Sequence, residues 1–247
     1  MQEQAPHMTT EVETFVANQS RINKRRRILR PALRAVGGLL CEIDVTGLEY
    51  VPDDGAAILM MNHISFIDPI IFTGLIRNRF VVSMAKAETL EHWFIKRIVQ
   101  LWGNFVVKRD EIDRMALTQA MELLNHNNFV LIAPEGTRNP DGLEEPKSGT
   151  AYIAYKTDAI IVPATVSGAQ DWAKRLKRFK RAYANVNIGR PFRLRLREGE
   201  RLTRPIREQM MREAMYQLAR TIPDEYAEQR GRYHDLDCAT TDYLEFI

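Results

Sequence analysis

The chain has 247 residues, 45% of them hydrophobic and 27% charged, enough for one large domain or at most two small ones. No apolar stretch approaches the roughly 18–20 residues that span a bilayer, and the polar N-terminus carries no apolar core of a secretory signal. Cys41 and Cys238 fit no metal spacing; two free thiols in a reducing cytoplasm are the expectation, and the mild net charge of +3 says less than its distribution.

Residues 1–20 are polar and are expected to be loose at the start. From Arg21 to Arg34 come seven basic residues and no acid: Arg21, Lys24, Arg25, Arg26, Arg27, Arg30 and Arg34. Ile22, Ile28, Leu29 and Leu33 interleave with them, and Val36, Leu39 and Leu40 follow. That mixture suits an anionic membrane surface; a solvated basic helix and a nucleic-acid patch are the competing readings. Pro31 disfavours one continuous helix, so a helix, a break and a second short helix are expected. CEIDVTG (41–47) alternates as a strand does, and DDG (53–55) turns into AAILMMN (56–62), an apolar run of strand length. Asp68 as N-cap and Pro69 at the first helical position then open a helix through IDPIIFTGLI.

RFVVSMAK (79–86) is the next strand. HWFIKRIVQLW (92–102) is a helix stopped by Gly103, NFVVKR (104–109) a strand, and DEIDRMALTQAMELLN (110–125) an amphipathic helix. NFVLIAP (128–134) reads as a buried strand, NPDG (139–142) as a turn, GTAYIAYKT (149–157) as a helix and AIIVPATVSG (159–168) as a strand. A second basic cluster, KRLKRFKR (174–181), follows Trp172 and would extend a membrane-facing surface. Two short strand pieces flank Gly189 and Pro191, and RPIREQMMREAMYQLART (204–221) is the last helix. The acidic stretch from His234 is weakly patterned and expected to be disordered. Strands and helices alternate without an internal repeat, which predicts an α/β domain with a largely parallel central sheet.

The chemistry centres on NHISFIDP and, seventy residues on, PEGTRN. His63 and Asp68 lie five apart, about 140° around an ideal helix, so a helix would keep them apart. His63, however, falls in the turn after a strand, where it can fold back on Asp68 and keep its second ring nitrogen free as a base. Asp-Pro also starts helices on its own account, so a structural reading competes. Ser65 lacks the G-x-S-x-G surroundings of a nucleophile, and a local hydrogen bond to the turn is expected of it. Arg109 and Arg138 follow strands, where α/β sheets bind ligands, and a guanidinium fork matches two phosphate oxygens. Lys147, just before a helix start, adds a charge. Gly136 serves a turn that disfavours a Cβ; Glu135 either pairs with Arg138 or takes part in the site. A base held by an acid, beside cations suited to phosphate, reads as acyl transfer to a phosphorylated alcohol.

These pieces together resemble the glycerolipid acyltransferase family, in particular the 1-acylglycerol-3-phosphate (lysophosphatidate) acyltransferases. The resemblance runs from about Gly47 to Tyr233. NHISFID resembles the first family block, with His63 and Asp68 in its H-x4-D positions. GNFVVKR resembles the second, with Gly103, Phe105 and Arg109 matching, and APEGTRN the third, with Pro134, Glu135, Gly136 and Arg138. IIVPATVSG is similar to the fourth, centred on Pro163. What the resemblance implies is a glycerol-3-phosphate acyltransferase-like fold: a basic helical membrane-contact segment over 1–40, an acyltransferase domain over 41–233 and an acidic tail over 234–247. It further implies transfer of an acyl group from acyl-CoA or an acyl carrier protein to the sn-2 hydroxyl of lysophosphatidate, as in phospholipid biosynthesis. His63 and Asp68 would be catalytic, and Arg109, Glu135, Gly136, Arg138 and Lys147 would bind phosphate and glycerol. Gly103, Phe105 and Pro163 would shape the site or meet the acyl donor. Neither cofactor nor metal is implied. The expected partners are a membrane lipid surface, a lysophospholipid and the acyl thioester, not nucleic acid, with the protein on the cytoplasmic face as a peripheral or monotopic enzyme. Glycerol 3-phosphate, another lysophospholipid or an ornithine-type lipid as acceptor, or a noncatalytic lipid-binding role, are the alternatives.

Overall fold

The computed structural model of the chain describes residues 8–86, 97, 101–103, 105–107 and 112–247. Its strands are β1 (Cys41–Thr46), β2 (Ala57–Met61), β3 (Val81–Lys86), β4 (Phe105–Val107), β5 (Phe129–Ile132), β6 (Ile160–Ser167), β7 (Ala182–Ile188), β8 (Phe192–Leu194) and β9 (Leu244–Phe246). They form one sheet in the order β1-β7-β6-β2-β5-β3-β4, with β8 joining β6 and β9 joining β8. Strands β6, β2, β5, β3 and β4 run parallel to one another, whereas β7 runs antiparallel to β6 and β1 follows β7. The expected largely parallel sheet is therefore present, with its reversed strands at one edge. The helices are α1 (Thr10–Ala17), α2 (Gln19–Leu40), α3 (Asp68–Leu75), α4 (Ile112–Asn125), α5 (Gly149–Thr157), α6 (Trp172–Leu176) and α7 (Arg204–Arg220).

Parallel sheets bury both faces, and their central strands read as unbroken apolar runs. Strand β2 is such a run. Its Ile58 and Met60 pack with Leu123, Ala151 and Met215 of α4, α5 and α7 on one side. Its Leu59 and Met61 pack with Ile71 and Phe72 of α3 on the other. In such parallel α/β sheets chemistry falls to the loops at the C-terminal ends of the strands.

Two expectations are corrected. The expected loose start falls on residues 1–7, outside the described residues; from Thr10 the stretch is helix α1, with Val12 and Phe15 buried in the core. Pro31 does not break α2, which runs unbroken for 22 residues. Pro31 and Arg27 are both exposed, so the carbonyl deprived of an N–H partner faces water, while the opposite side of the helix is held by tertiary contacts. There the buried Arg26 donates from Nε to the Trp102 carbonyl at 2.7 Å and lies over the rings of Phe15, Phe80 and Trp102. Burial, with the like charges of Arg25 and Arg30, lowers its pKa to about 9. The face of α2 turned to solvent carries Ile28, Val36 and Leu39.

The second correction is the C-terminal tail, which is not disordered. It folds back so that β9 pairs with β8, Phe246 opposite Phe192. The buried Glu213 of α7 holds the returning chain, accepting from the Tyr243 N–H at 2.9 Å and the Thr240 hydroxyl at 2.7 Å. A buried carboxylate satisfied by a distant segment leaves no periodic trace in that segment's sequence.

Candidate active site

Strand β2 ends at Met61, and the next residue is buried and polar. The Asn62 side-chain amide donates to the Val166 carbonyl and accepts the Val166 N–H, both at 2.9 Å. It thereby continues the β2–β6 pairing through a side chain, freeing the backbone to turn. His63 follows with its side chain 22% exposed, at the C-terminal end of the parallel strands.

The turn brings His63 onto Asp68. Nδ1 lies 3.0 Å from Asp68 Oδ2, and the same oxygen accepts the N–H groups of Ile64 at 2.8 Å and Ser65 at 2.7 Å. Asp68 is fully buried. The expected N-cap role is corrected: Asp68 is the first residue of α3, and its carboxylate bonds backward to the turn. The Ser65 hydroxyl has no partner among the described residues; its backbone N–H serves the turn, not the side-chain bond expected. Burial raises the Asp68 pKa, against the hydrogen bonds from His63, Ser65 and Ile64. An acceptor carboxylate already taking two N–H groups requires Nδ1–H as donor, so Nε2 carries the free lone pair.

The PEGTRN stretch is strapped to this turn, since the Asn139 N–H donates to the His63 carbonyl at 2.8 Å. Glu135 is buried, and its Oε1 accepts from Asn139 Nδ2 at 2.9 Å and the Glu144 N–H at 2.7 Å. Burial raises its pKa; the two hydrogen bonds and the neighbouring His63 act against that rise. Gly136 has φ +72°, and a Cβ there would meet Lys147 Cε at 3.3 Å, so the Lys147 stem crosses the turn over the glycine. Arg138 and Lys147 are exposed at the rim.

The structure thus brings together His63, Asp68, Glu135, Gly136, Arg138 and Lys147. It places two others elsewhere. Gly103, φ +78°, sits against α2, where a Cβ would lie 3.0 Å from Ile22 Cγ2. Pro163 is buried in β6 opposite Met60, with its carbonyl accepting the Gly189 N–H at 2.8 Å. Phe105 opens β4, and Arg109 lies outside the described residues. Sequence reasoning missed Asn62 and Asn139 as structural ties. The only signal for Asn62 is its place directly after an all-apolar strand, and Asn139 carries none.

Comparison with known proteins places this geometry among relatives. The family model Acyltransferase matches residues 42–167, just over half of the chain. A 1-acyl-sn-glycerol-3-phosphate acyltransferase from Borreliella burgdorferi is 34% identical over 128 residues, 51% of this chain and 51% of that protein. The human 1-acyl-sn-glycerol-3-phosphate acyltransferase alpha is 29% identical over 154 residues, 59% of this chain and 53% of that one. The chain spans about half the length of these relatives. In fold it is similar to the 1-acyl-sn-glycerophosphate (LPA) acyltransferase PlsC from Thermotoga maritima, with a TM-score of 0.55 and 20% identity, covering 82% of this chain and 89% of that one.

Proposed function

The chain belongs to the Acyltransferase family, and on that premise we propose that it moves a fatty acyl group from an acyl thioester to the sn-2 hydroxyl of lysophosphatidate, giving phosphatidate. The observation that carries this reading is the His63 imidazole, bonded through Nδ1 to a buried carboxylate and tied by its own carbonyl to the loop that bears Arg138.

Nε2 takes the proton of the acceptor hydroxyl as that oxygen forms a bond to the thioester carbonyl carbon. The electron pair pushed onto the carbonyl oxygen returns as the C–S bond breaks, and the imidazolium protonates the departing thiolate. Asp68 fixes the tautomer and stabilises the transient cation. A thiolate leaves readily, so the route needs no acyl-enzyme. Arg138 and Lys147, with Arg109, hold the phosphate and so bring the hydroxyl to Nε2. The names of the relatives support this acceptor.

Acceptor and product are both amphiphiles, which fits work at a membrane surface. Among the described residues no helix is long and apolar enough to cross a membrane. Ile28, Val36 and Leu39 form an exposed stripe on α2, beside Arg21, Arg27 and Arg34, and support peripheral docking along that helix.

Thiol release by the purified protein tests the reading, with acyl-CoA and acyl carrier protein as donors and lysophosphatidate, glycerol 3-phosphate and a neutral lysolipid as acceptors. Release is expected to depend on the acceptor and to be greatest with lysophosphatidate. Equal release with the neutral lysolipid would remove the phosphate role, and none with any pair would remove the enzyme.

A further inference from the structure

The connection from β6 to β7 holds residues that no step above uses. Residues 173–181 are all exposed, and six of these nine are basic: Lys174, Arg175, Lys177, Arg178, Lys180 and Arg181. Among them stands Phe179, 100% exposed. A lone exposed apolar side chain is ordinary, but this one also breaks a backbone rule. Its φ is +54°, a left-handed conformation that a bulky residue avoids and glycine normally fills at a helix end. The turn is nonetheless closed, since the Phe179 N–H donates to the Leu176 carbonyl and the Lys180 N–H to the Arg175 carbonyl, both at 3.0 Å. A formed turn therefore displays an aromatic ring to solvent within a ring of cations.

Topology sets where that ring points relative to the site. Because β7 is antiparallel to β6, its start lies at the end of the sheet where β6 finishes, and Val166 near that end is bonded to Asn62, beside His63. Strand β7 stands two places from β2, about 10 Å at the usual strand spacing. Cys41 pairs in register with Ala182, and the Arg181 guanidinium donates to the Cys41 carbonyl at 2.9 Å. Cys41 directly follows Leu39 and Leu40 of α2. The basic turn, the C-terminal end of the exposed α2 stripe and the mouth of the site thus share one end of the molecule.

We propose that residues 172–181 form a second membrane-docking element, in which Phe179 enters the interfacial layer of an anionic bilayer and the surrounding cations hold lipid phosphates. Charge selects the surface and the ring supplies an unscreened apolar anchor. With the α2 stripe it gives two points of attachment, which fix the orientation of the site mouth towards the lipid. A nucleic acid or an acidic carrier protein would use the cations but has less call for a ring held out on a left-handed turn.

The test uses the full chain and sedimentation with vesicles of phosphatidylcholine alone or mixed with phosphatidylglycerol. Binding is read without turnover, so its outcome is separable from that of the acyl-transfer reading. Phe179→Asn removes the ring while keeping a residue that tolerates positive φ; about a tenfold loss of affinity for the anionic vesicles is expected. The triple variant Lys177→Ser, Arg178→Ser, Lys180→Ser is expected to lose about a hundredfold, with a weaker dependence on salt. Both should unfold at the parent temperature, because the segment is exposed. A Phe179→Trp variant should show a blue-shifted emission difference against the parent when anionic vesicles are added. Unchanged sedimentation of folded Phe179→Asn and triple variants, or no shift for Phe179→Trp, overturns the proposal. So does a loss confined to duplex DNA or acyl carrier protein while vesicle binding persists.

Discussion

Asp68 and Arg138 occupy the two halves of one site, and they are built in opposite ways. Asp68 is fully buried, and its Oδ2 accepts three hydrogen bonds, two from the turn and one from the imidazole it orients. Arg138 stands in solvent on a loop whose tie to the rest of the site is a backbone hydrogen bond one residue further on. The half proposed to move a proton needs a fixed tautomer and direction, which burial and redundant bonds supply. The half proposed to bind phosphate needs a charge still available to its ligand, and a guanidinium already buried and bonded, such as Arg26, has none to offer.

The largest effect separates the halves by rate. His63→Ala should lower kcat by ~10²- to 10⁴-fold in a protein that still folds, with a lower unfolding midpoint because the buried Asp68 loses the imidazole bond; thiol release and calorimetry check both. Full activity in that variant would end the general-base account. Asp68→Asn comes next and should damage rate and stability together. A carboxamide can set its oxygen where Oδ2 now lies, but its Nδ2 then takes the buried place of Oδ1, which has no partner among the described residues, and one buried donor left unsatisfied costs about 1–3 kcal/mol. Chemical denaturation reads the loss directly.

On the rim the effect should move to recognition. Arg138→Ala is expected to raise KM for the phosphorylated acceptor by roughly tenfold or more, with a smaller change in the donor KM, as loss of a charge-assisted hydrogen bond predicts. Arg138→Lys should recover only part, since a point charge lacks the fork. Equal damage toward both substrates would assign Arg138 to structure.

Asn62→Ala tests the scaffold between them. Losing the paired bonds to Val166 should destabilise the fold by about 1–3 kcal/mol and lower kcat more than it raises the acceptor KM, because the displaced residue is His63. The smallest effect concerns Glu135. Its raised folded-state pKa means that protonation favours the fold, a contribution present below the unfolded pKa and lost as pH rises through the folded value. Glu135→Gln should therefore unfold at a higher temperature than the parent at neutral pH, with the gap closing as the pH falls. A gap that widens on acidification would reverse the sign assigned here.

Point variants, not deletion of residues 1–40, suit a probe of the proposed membrane contact along α2. Val12 and Phe15 belong to the core that also holds Met60 and Leu123, so deletion would open that core instead of removing an appendage. Ile28 and Leu39 are exposed, and changing them to serine tests docking without that penalty.

Local sequence determined much of this protein. Periodicity and turn residues located β1 to β8 and the helices α3, α4, α5 and α7, because a 2-residue or 3.6-residue repeat is imposed by the backbone itself; the helix expected over 92–102 lies largely outside the described residues. The adjacency of His63 and Asp68 was legible too, since the six residues between β2 and α3 leave few ways to place the pair. Tertiary structure alone decided which cations face inward. Arg26 and Arg27 are neighbours of the same type, yet Arg26 is caged by Phe15, Phe80 and Trp102 while Arg27 is exposed. It also decided that Pro31 sits within a continuous helix, that Glu213 captures the tail and that Asn139 straps the PEGTRN loop to His63. Each depends on a partner dozens of residues away, and a hydrogen bond across such a distance is specified by the packing of whole elements, not by any pattern within one of them.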